Sequence, residues 1–246
     1  MDVAALLEQL EHSGQKLEHS ARYAGLHTSV PTCPGWTVSR LVGHVHRVHA
    51  WSRTIISGGD GDAFEYRRPD DADLLSAYRT GLDELVRALR SAPDSLDVWT
   101  IYPGATARLA WARRQAHETA IHLMDAEAAA GLGFTEFGPD FAADGLAELA
   151  LQIVDRFEVS GLPRSYQITF TPIDSNRAWT VTLRREGASG VERALDGSDL
   201  TVLAPVSDLY RWAWNRANDD DVSFSGDLSV IDVWHDRCQL KARRRD

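Results

Sequence analysis

Several things are scarce in this 246-residue chain, and each scarcity excludes a class of protein. Cysteine occurs twice, at Cys33 and Cys238, too few for a disulfide scaffold. No apolar run reaches the length of a membrane-spanning helix. The first residues open directly into an amphipathic, acidic pattern, unlike a secretory signal peptide. The expectation is therefore a cytoplasmic protein with reduced thiols. Basic charge is also short: 26 Lys and Arg against 36 Asp and Glu leave a formal charge of −10, which argues against nucleic acid as a partner. The only basic run, Lys241 to Arg245, is too short to change that. Repeats and low-complexity segments are absent.

What is present is ordinary globular material, 43% hydrophobic and 25% charged, long enough for one large domain or two small ones. Eight tryptophans and abundant Ala, Arg and Asp fit a GC-rich bacterial genome.

The periodicity predicts helices first. Asp2 caps a helix whose inner row is Leu6, Leu10, Leu17, Ala21 and Ala24, ending near Gly25. A turn-rich loop, Thr28 to Trp36, follows, and Thr37 caps a second helix with the row Val38, Leu41, Val45, Val48, Ser52, Ile55. A third starts at Asp70 or Asp71, carries Leu74, Tyr78, Leu82, Leu85 and Leu89, and stops before Pro93. The loop after it holds Trp99, Tyr102 and Pro103, aromatic surface suited to walling a pocket. A fourth helix, Ala107 to Gly131, is built from strong helix formers and closed by a C-cap glycine. A fifth is expected from about Pro139 to Val159. Four long helices and this extension point to an antiparallel bundle.

After Gly161 the period changes from helical to alternating. Tyr166, Ile168 and Phe170 alternate, as do Trp179, Val181 and Leu183 across an Asp174-Ser175-Asn176 turn, and Leu200 with Val202. Short antiparallel strands with one buried face are expected. Helices are expected from Ser207 to Ala217 and, after Ser225-Gly226-Asp227, to about Trp234. The expected organisation is α plus α+β: a helical bundle over residues 1–161, then a small α+β domain over 162–246.

The fourth helix carries the unusual chemistry. One of its faces runs Trp111, Gln115, Glu118, His122, Asp125, Ala129, titratable at the middle of an inner row. Glu118 and His122 are i,i+4, the spacing at which a carboxylate and an imidazole close on one ion. Asp125 follows three residues later, placed to orient the His122 ring. Arg114 precedes Glu118 by one turn. His117 lies about 140° around the helix from His122, so the pair is not a zincin-type ligand pair. A solvated Glu/His surface pair is the competing reading, unless a third ligand exists. The second helix offers one. His44 shares a row with Val48, Trp51 and Ile55 and points inward, whereas His46 and His49 look more exposed. Near the other end of the chain, Leu209, Trp212, Ala213 and Arg216 form a row, placing an arginine in line with an apolar stripe. Such an arginine either snorkels or reaches an anion.

The segments Val30 to Trp51 (VPTCPGWTVSRLVGHVHRVHAW), Ala112 to Gly131 (ARRQAHETAIHLMDAEAAAG) and Ala204 to Trp234 together resemble the mycothiol-dependent maleylpyruvate isomerase family of the DinB-like superfamily. The resemblance implies a DinB-like four-helix bundle with a small C-terminal domain, and a divalent metal, zinc by preference, held by His44, Glu118 and His122. It implies Arg216 as a catalytic residue for the substrate carboxylate or the charge of an adduct, and mycothiol as cosubstrate. The small-molecule partners would be this thiol and a small electrophile, joined by isomerisation or S-transfer. Two alternatives stay open at this level: a hydrolase using metal-bound hydroxide, and a non-catalytic protein binding metal or ligand. Cys33, in the loop leading to the second helix, reads either as a thiol near the site or, by preference, as a buried inert one.

Overall fold

The computed structural model describes residues 1–102 and 104–237, so Pro103, Cys238 and the basic run Lys241 to Arg245 lie outside the described residues. The chain divides into two compact units, Met1–Thr135 and Glu136–Asp246. No helix among the described residues is long and apolar enough to cross a membrane.

The first unit is a four-helix bundle: α1 (Val3–Ala24), α2 (Val38–Ile56), α3 (Asp71–Ser91) and α4 (Ala107–Ala130). Three of the four helices start behind a side-chain cap, Asp2, Thr37 and Thr106. The Asp2 carboxylate accepts from the Ala5 amide at 2.9 Å, and the Thr37 hydroxyl accepts from the Arg40 amide. Gly131 ends α4 in the left-handed conformation, φ 66°, which a residue with a Cβ adopts only at a cost. Packing joins α1 to α3 and α4, and α2 to α3 and α4, in the cyclic order α1-α3-α2-α4. The expected rows fill the core: Leu6, Leu10, Leu17, Leu41, Val45, Leu74, Tyr78, Leu82, Leu85 and Leu89 are fully buried. One expectation fails here. His49 is not exposed but fully buried. Because α2 packs on two neighbours, its buried stripe is wider than one apolar row and takes in Val42 and His49 as well.

The second unit begins at α5 (Pro139–Glu148), earlier than the boundary expected at 161. The fifth helix is therefore not an extension of the bundle; it packs on α6 (Val206–Ala213). It also ends sooner than Val159. A π-helical turn, Leu149–Ile153, and a 3-10 turn, Val154–Arg156, replace its last turns. The edge strand lies against this segment: a Cβ at Gly190 would stand 2.0 Å from the Ala150 carbonyl oxygen, so only glycine lets the two backbones meet.

Five strands form one sheet: β1 (Tyr166–Pro172), β2 (Trp179–Arg184), β3 (Gly187–Val191), β4 (Leu200–Ala204) and β5 (Ser223–Gly226), in the order β3-β2-β1-β4-β5. The expected strands are all present, but the sheet is mixed rather than antiparallel. β4 pairs parallel to β1, with Phe170 opposite Val202, because the chain returns to the far side of β1 after the β2–β3 hairpin. The core under the sheet is aromatic. Trp212 of α6 stacks on Trp234 of α7 (Ser229–Arg237) at 6.3 Å, and Phe170 meets Trp234 edge-on at 5.1 Å.

Candidate metal centre

Helix α4 is buried on nearly every side, and its two faces differ by residue size. Ala112, Ala116, Ala120 and Ala126 are fully buried small residues, compatible with the long α1–α4 contact. The polar row lies elsewhere on the helix, where α4 packs on α2.

That packing brings the three expected ligands together. His44 Nε2 lies 3.1 Å from Glu118 Oε1, and His122 Nε2 lies 3.4 Å from the same oxygen. One donor atom from each of the three residues falls within 4.8 Å of the other two, a spread compatible with a shared ion. His117 is not among them. The His44 and His122 rings meet edge to face at 4.9 Å.

Two of the three candidate ligands are fixed from behind. His122 Nδ1 donates to Asp125 Oδ2 at 2.8 Å, which leaves Nε2 to face Glu118, as the i,i+3 spacing predicts. Arg114 Nη2 donates to Glu118 Oε2 at 2.9 Å, so Oε1 is the oxygen turned to the histidines. Asp125 is fully buried and accepts two further hydrogen bonds, from Thr32 Oγ1 at 2.5 Å and from Cys33 Sγ at 3.3 Å. The loop supplying Thr32 and Cys33 is held shut by its own turns, Val30 N to Trp36 O and Trp36 N to Cys33 O, both 3.0 Å. Its last residue, Trp36, stacks over His122 at 6.3 Å and meets His44 edge-on at 5.2 Å. The Arg40 guanidinium lies 4.8 Å over the Trp36 ring.

The charge states follow from these contacts. Burial alone would favour the neutral form of Glu118. Hydrogen bonds from His122 and His44, and the Arg114 charge, overcome it and hold the carboxyl well below the usual range. Burial opposes protonation of His122 as well, yet hydrogen bonds to Asp125 and Glu118 raise its pKa to about 9. Without a metal, the pair holds a proton at neutral pH. His49, behind the site on α2, is the reverse case: burial pushes its pKa down to about 3 and the ring is neutral. Its Nε2 meets Thr119 Oγ1 at 2.9 Å and its ring stacks on Tyr78.

Arg216 is not where the periodicity put it. Helix α6 ends at Ala213, and Asn215 turns left-handed at φ 59°. Asn215 N bonds to Trp212 O and Arg216 N to Arg211 O, a Schellman closure. Arg216 thus follows the helix instead of extending its stripe, and its Nη1 donates to Trp214 O at 2.6 Å. The residues that sequence reading passed over are Thr32 and Trp36. Cys33 is half-buried and hydrogen-bonded to Asp125, in contrast to the buried inert thiol expected. The signal was the loop itself, Val30 to Trp36, which belongs to the segment resembling the isomerase family. The Trp99 loop joins an aromatic cluster. Trp111 Nε1 donates to Trp99 O at 3.0 Å, and Trp51 meets both rings within 5.9 Å.

No curated protein matches the chain. Among solved structures, a crystal structure of the mycothiol-dependent maleylpyruvate isomerase superposes with a TM-score of 0.66 at 14% identity, covering 92% of this chain and 93% of that one. A crystal structure of a histidine-to-alanine mutant of the same enzyme superposes with a TM-score of 0.65 at the same identity and coverage. These likenesses establish the shared fold. Residues 4–127, the span that contains His44, Glu118, His122 and Asp125, match the family described as mycothiol maleylpyruvate isomerase N-terminal domain, and the chain belongs to that family.

Proposed function

We propose that the chain is a divalent-metal-dependent enzyme that uses mycothiol to isomerise, or to transfer sulfur to, a small electrophile of the maleylpyruvate type. The observation that carries this reading is the convergence of His44, Glu118 and His122 on one point, inside the family-matched span. Two imidazoles and one carboxylate suit zinc and leave coordination positions for an exogenous ligand, unlike a closed four-ligand structural site.

A bound divalent ion supplies the acidity that ionises a coordinated thiol at neutral pH. The protein's own groups do the rest. Arg114 fixes which Glu118 oxygen faces the ion. Asp125, itself held by Thr32 and Cys33, keeps the His122 proton on Nδ1 and Nε2 directed outward. Trp36 packs against both imidazole rings and restricts their rotation. In isomerisation, the thiolate sulfur adds to one alkene carbon, the former double bond rotates, and loss of the same C–S bond returns the thiolate. Arg216 is assigned to the substrate carboxylate on the family resemblance alone.

The test is an isomerase assay on zinc-loaded protein with maleylpyruvate, with and without mycothiol. Turnover that requires both zinc and mycothiol is expected. Zinc-dependent loss of the substrate without thiol, giving hydrolysis products and no isomer, would replace this reading with metal-hydroxide hydrolysis.

A further inference from the structure

The row that carries Glu118 holds one residue the proposed chemistry does not use. Gln115 sits one turn before Glu118 on α4, between it and Trp111, and is 1% exposed. Both of its amide atoms, Oε1 and Nε2, are buried and have no hydrogen-bond partner. A third such atom, His49 Nδ1, lies on α2, whose other ring nitrogen meets Thr119, the residue one turn after Gln115. Three unsatisfied polar atoms thus fall on one stretch of the α2–α4 packing, within a turn of Glu118 along α4. Buried donors and acceptors without partners are uncommon and destabilising, and each calls for a structural or functional reason.

The same row continues to an aromatic patch. Trp111 lies one turn before Gln115, its ring meets Trp51 at 5.3 Å and Trp99 at 5.9 Å, and Trp99 is 53% exposed. A charged anchor at Glu118, an amide with both a donor and an acceptor at Gln115, and a partly exposed aromatic surface beyond it follow one another along α4. That order matches an elongated ligand with a sulfur at one end, an amide or hydroxyl behind it, and a larger body.

We propose that Gln115 is a positioning residue for the thiol cosubstrate, its amide pairing with an amide or hydroxyl group in the stem behind the sulfur. The inference rests on the thiol-dependent reading above.

The experiment replaces Gln115 by the near-isosteric, apolar methionine, with Gln115→Leu repeating both readings should Gln115→Met fold poorly. On zinc-loaded protein it measures Tm without thiol, metal content, mycothiol affinity by calorimetry, and kcat and KM for mycothiol. Removing two unsatisfied buried atoms is expected to raise Tm by roughly 2–4 °C. Losing the pairing is expected to weaken mycothiol binding about tenfold, with KM rising in step, kcat changing less and zinc content unchanged. A fall in Tm overturns the inference, because the amide is then satisfied in the resting protein by internal water. An unchanged affinity for mycothiol overturns it equally. Wild-type protein that binds no mycothiol brings down the functional reading and the inference together, whereas equal binding by wild type and Gln115→Met brings down the inference alone.

Discussion

The interiors of the two units are built from different materials. Beneath the sheet of the second unit, Trp179, Trp212, Trp234, Phe170 and Tyr210 fill the core, and Trp212 and Trp234 stack nearly parallel. Along α4 of the first unit, Arg114, Gln115, His117, His122, Asp125 and Glu127 are all buried. Burying aromatic area is favourable wherever it happens. Burying charge is costly unless every group is paired, and replacing such groups by apolar residues is often neutral or stabilising. The aromatic interior therefore needs no explanation beyond stability. The polar one does: Arg114, His122 and Asp125 gather about the point between His44, Glu118 and His122, whereas Glu127 is satisfied separately by Thr135.

That contrast makes separable predictions. The largest effect belongs to His44→Ala. It removes the one candidate ligand contributed by α2, on a side chain 31% exposed, so the fold survives. Thiol-dependent turnover should fall by roughly 10³-fold, several kcal/mol of lost charge stabilisation, while the far-UV spectrum is unchanged. Trp212→Ala should do the opposite. Loss of a fully buried ring costs about 3–5 kcal/mol in denaturant unfolding, and the fraction that remains folded keeps its metal. If that variant loses metal while folded, the division between a stabilising and a functional interior is wrong.

A finer test is Asp125→Asn, which preserves shape but weakens the hold on His122 Nδ1. Metal affinity should drop about 10–100-fold in a competition titration, with little change in melting temperature. Equal affinity would show that the carboxylate acts only in packing.

A graded effect is one of pH. The metal-free His122 pKa is raised to about 9, so its contribution to stability is full below the unfolded value of about 6.5 and is lost as pH rises through 9. Glu118 has the opposite sign: its pKa is lowered, so its contribution is present above about 4.5 and is lost as pH falls through the folded value. A metal must displace the His122 proton. Its affinity should therefore rise about tenfold per pH unit between 7 and 9, and binding at pH 7 should release about one proton. An affinity independent of pH over that window would mean that His122 is not a ligand.

Much of the bundle was legible because local signals agreed with each other. Capping side chains at Asp2 and Thr37, a glycine at 131 and apolar rows of period 3.6 each located helix ends or faces before any packing was known. The closeness of Glu118, His122 and Asp125 was legible because i,i+4 and i,i+3 spacings survive translation into space. The rest depends on tertiary neighbours. His49 is buried because α2 packs on two helices, which one-helix periodicity does not contain. Strand β3, Gly-Ala-Ser-Gly-Val, has no alternation to read, and β5 owes its place to pairing with β4. The parallel β1–β4 register is a property of chain return, not of either strand. Arg216 was misplaced because a row extrapolated through Trp214 ignored Asn215, whose tolerance of the left-handed region closes the helix first.

The central claim is that His44, Glu118 and His122 hold one divalent ion, and the most direct measurement is metal content. Elemental analysis of the purified wild type, Glu118→Ala and His122→Ala, each reconstituted with zinc and desalted, should give about one ion per chain in the wild type and close to none in either variant. A wild type that retains no zinc, or variants that retain as much as the wild type, would contradict the claim.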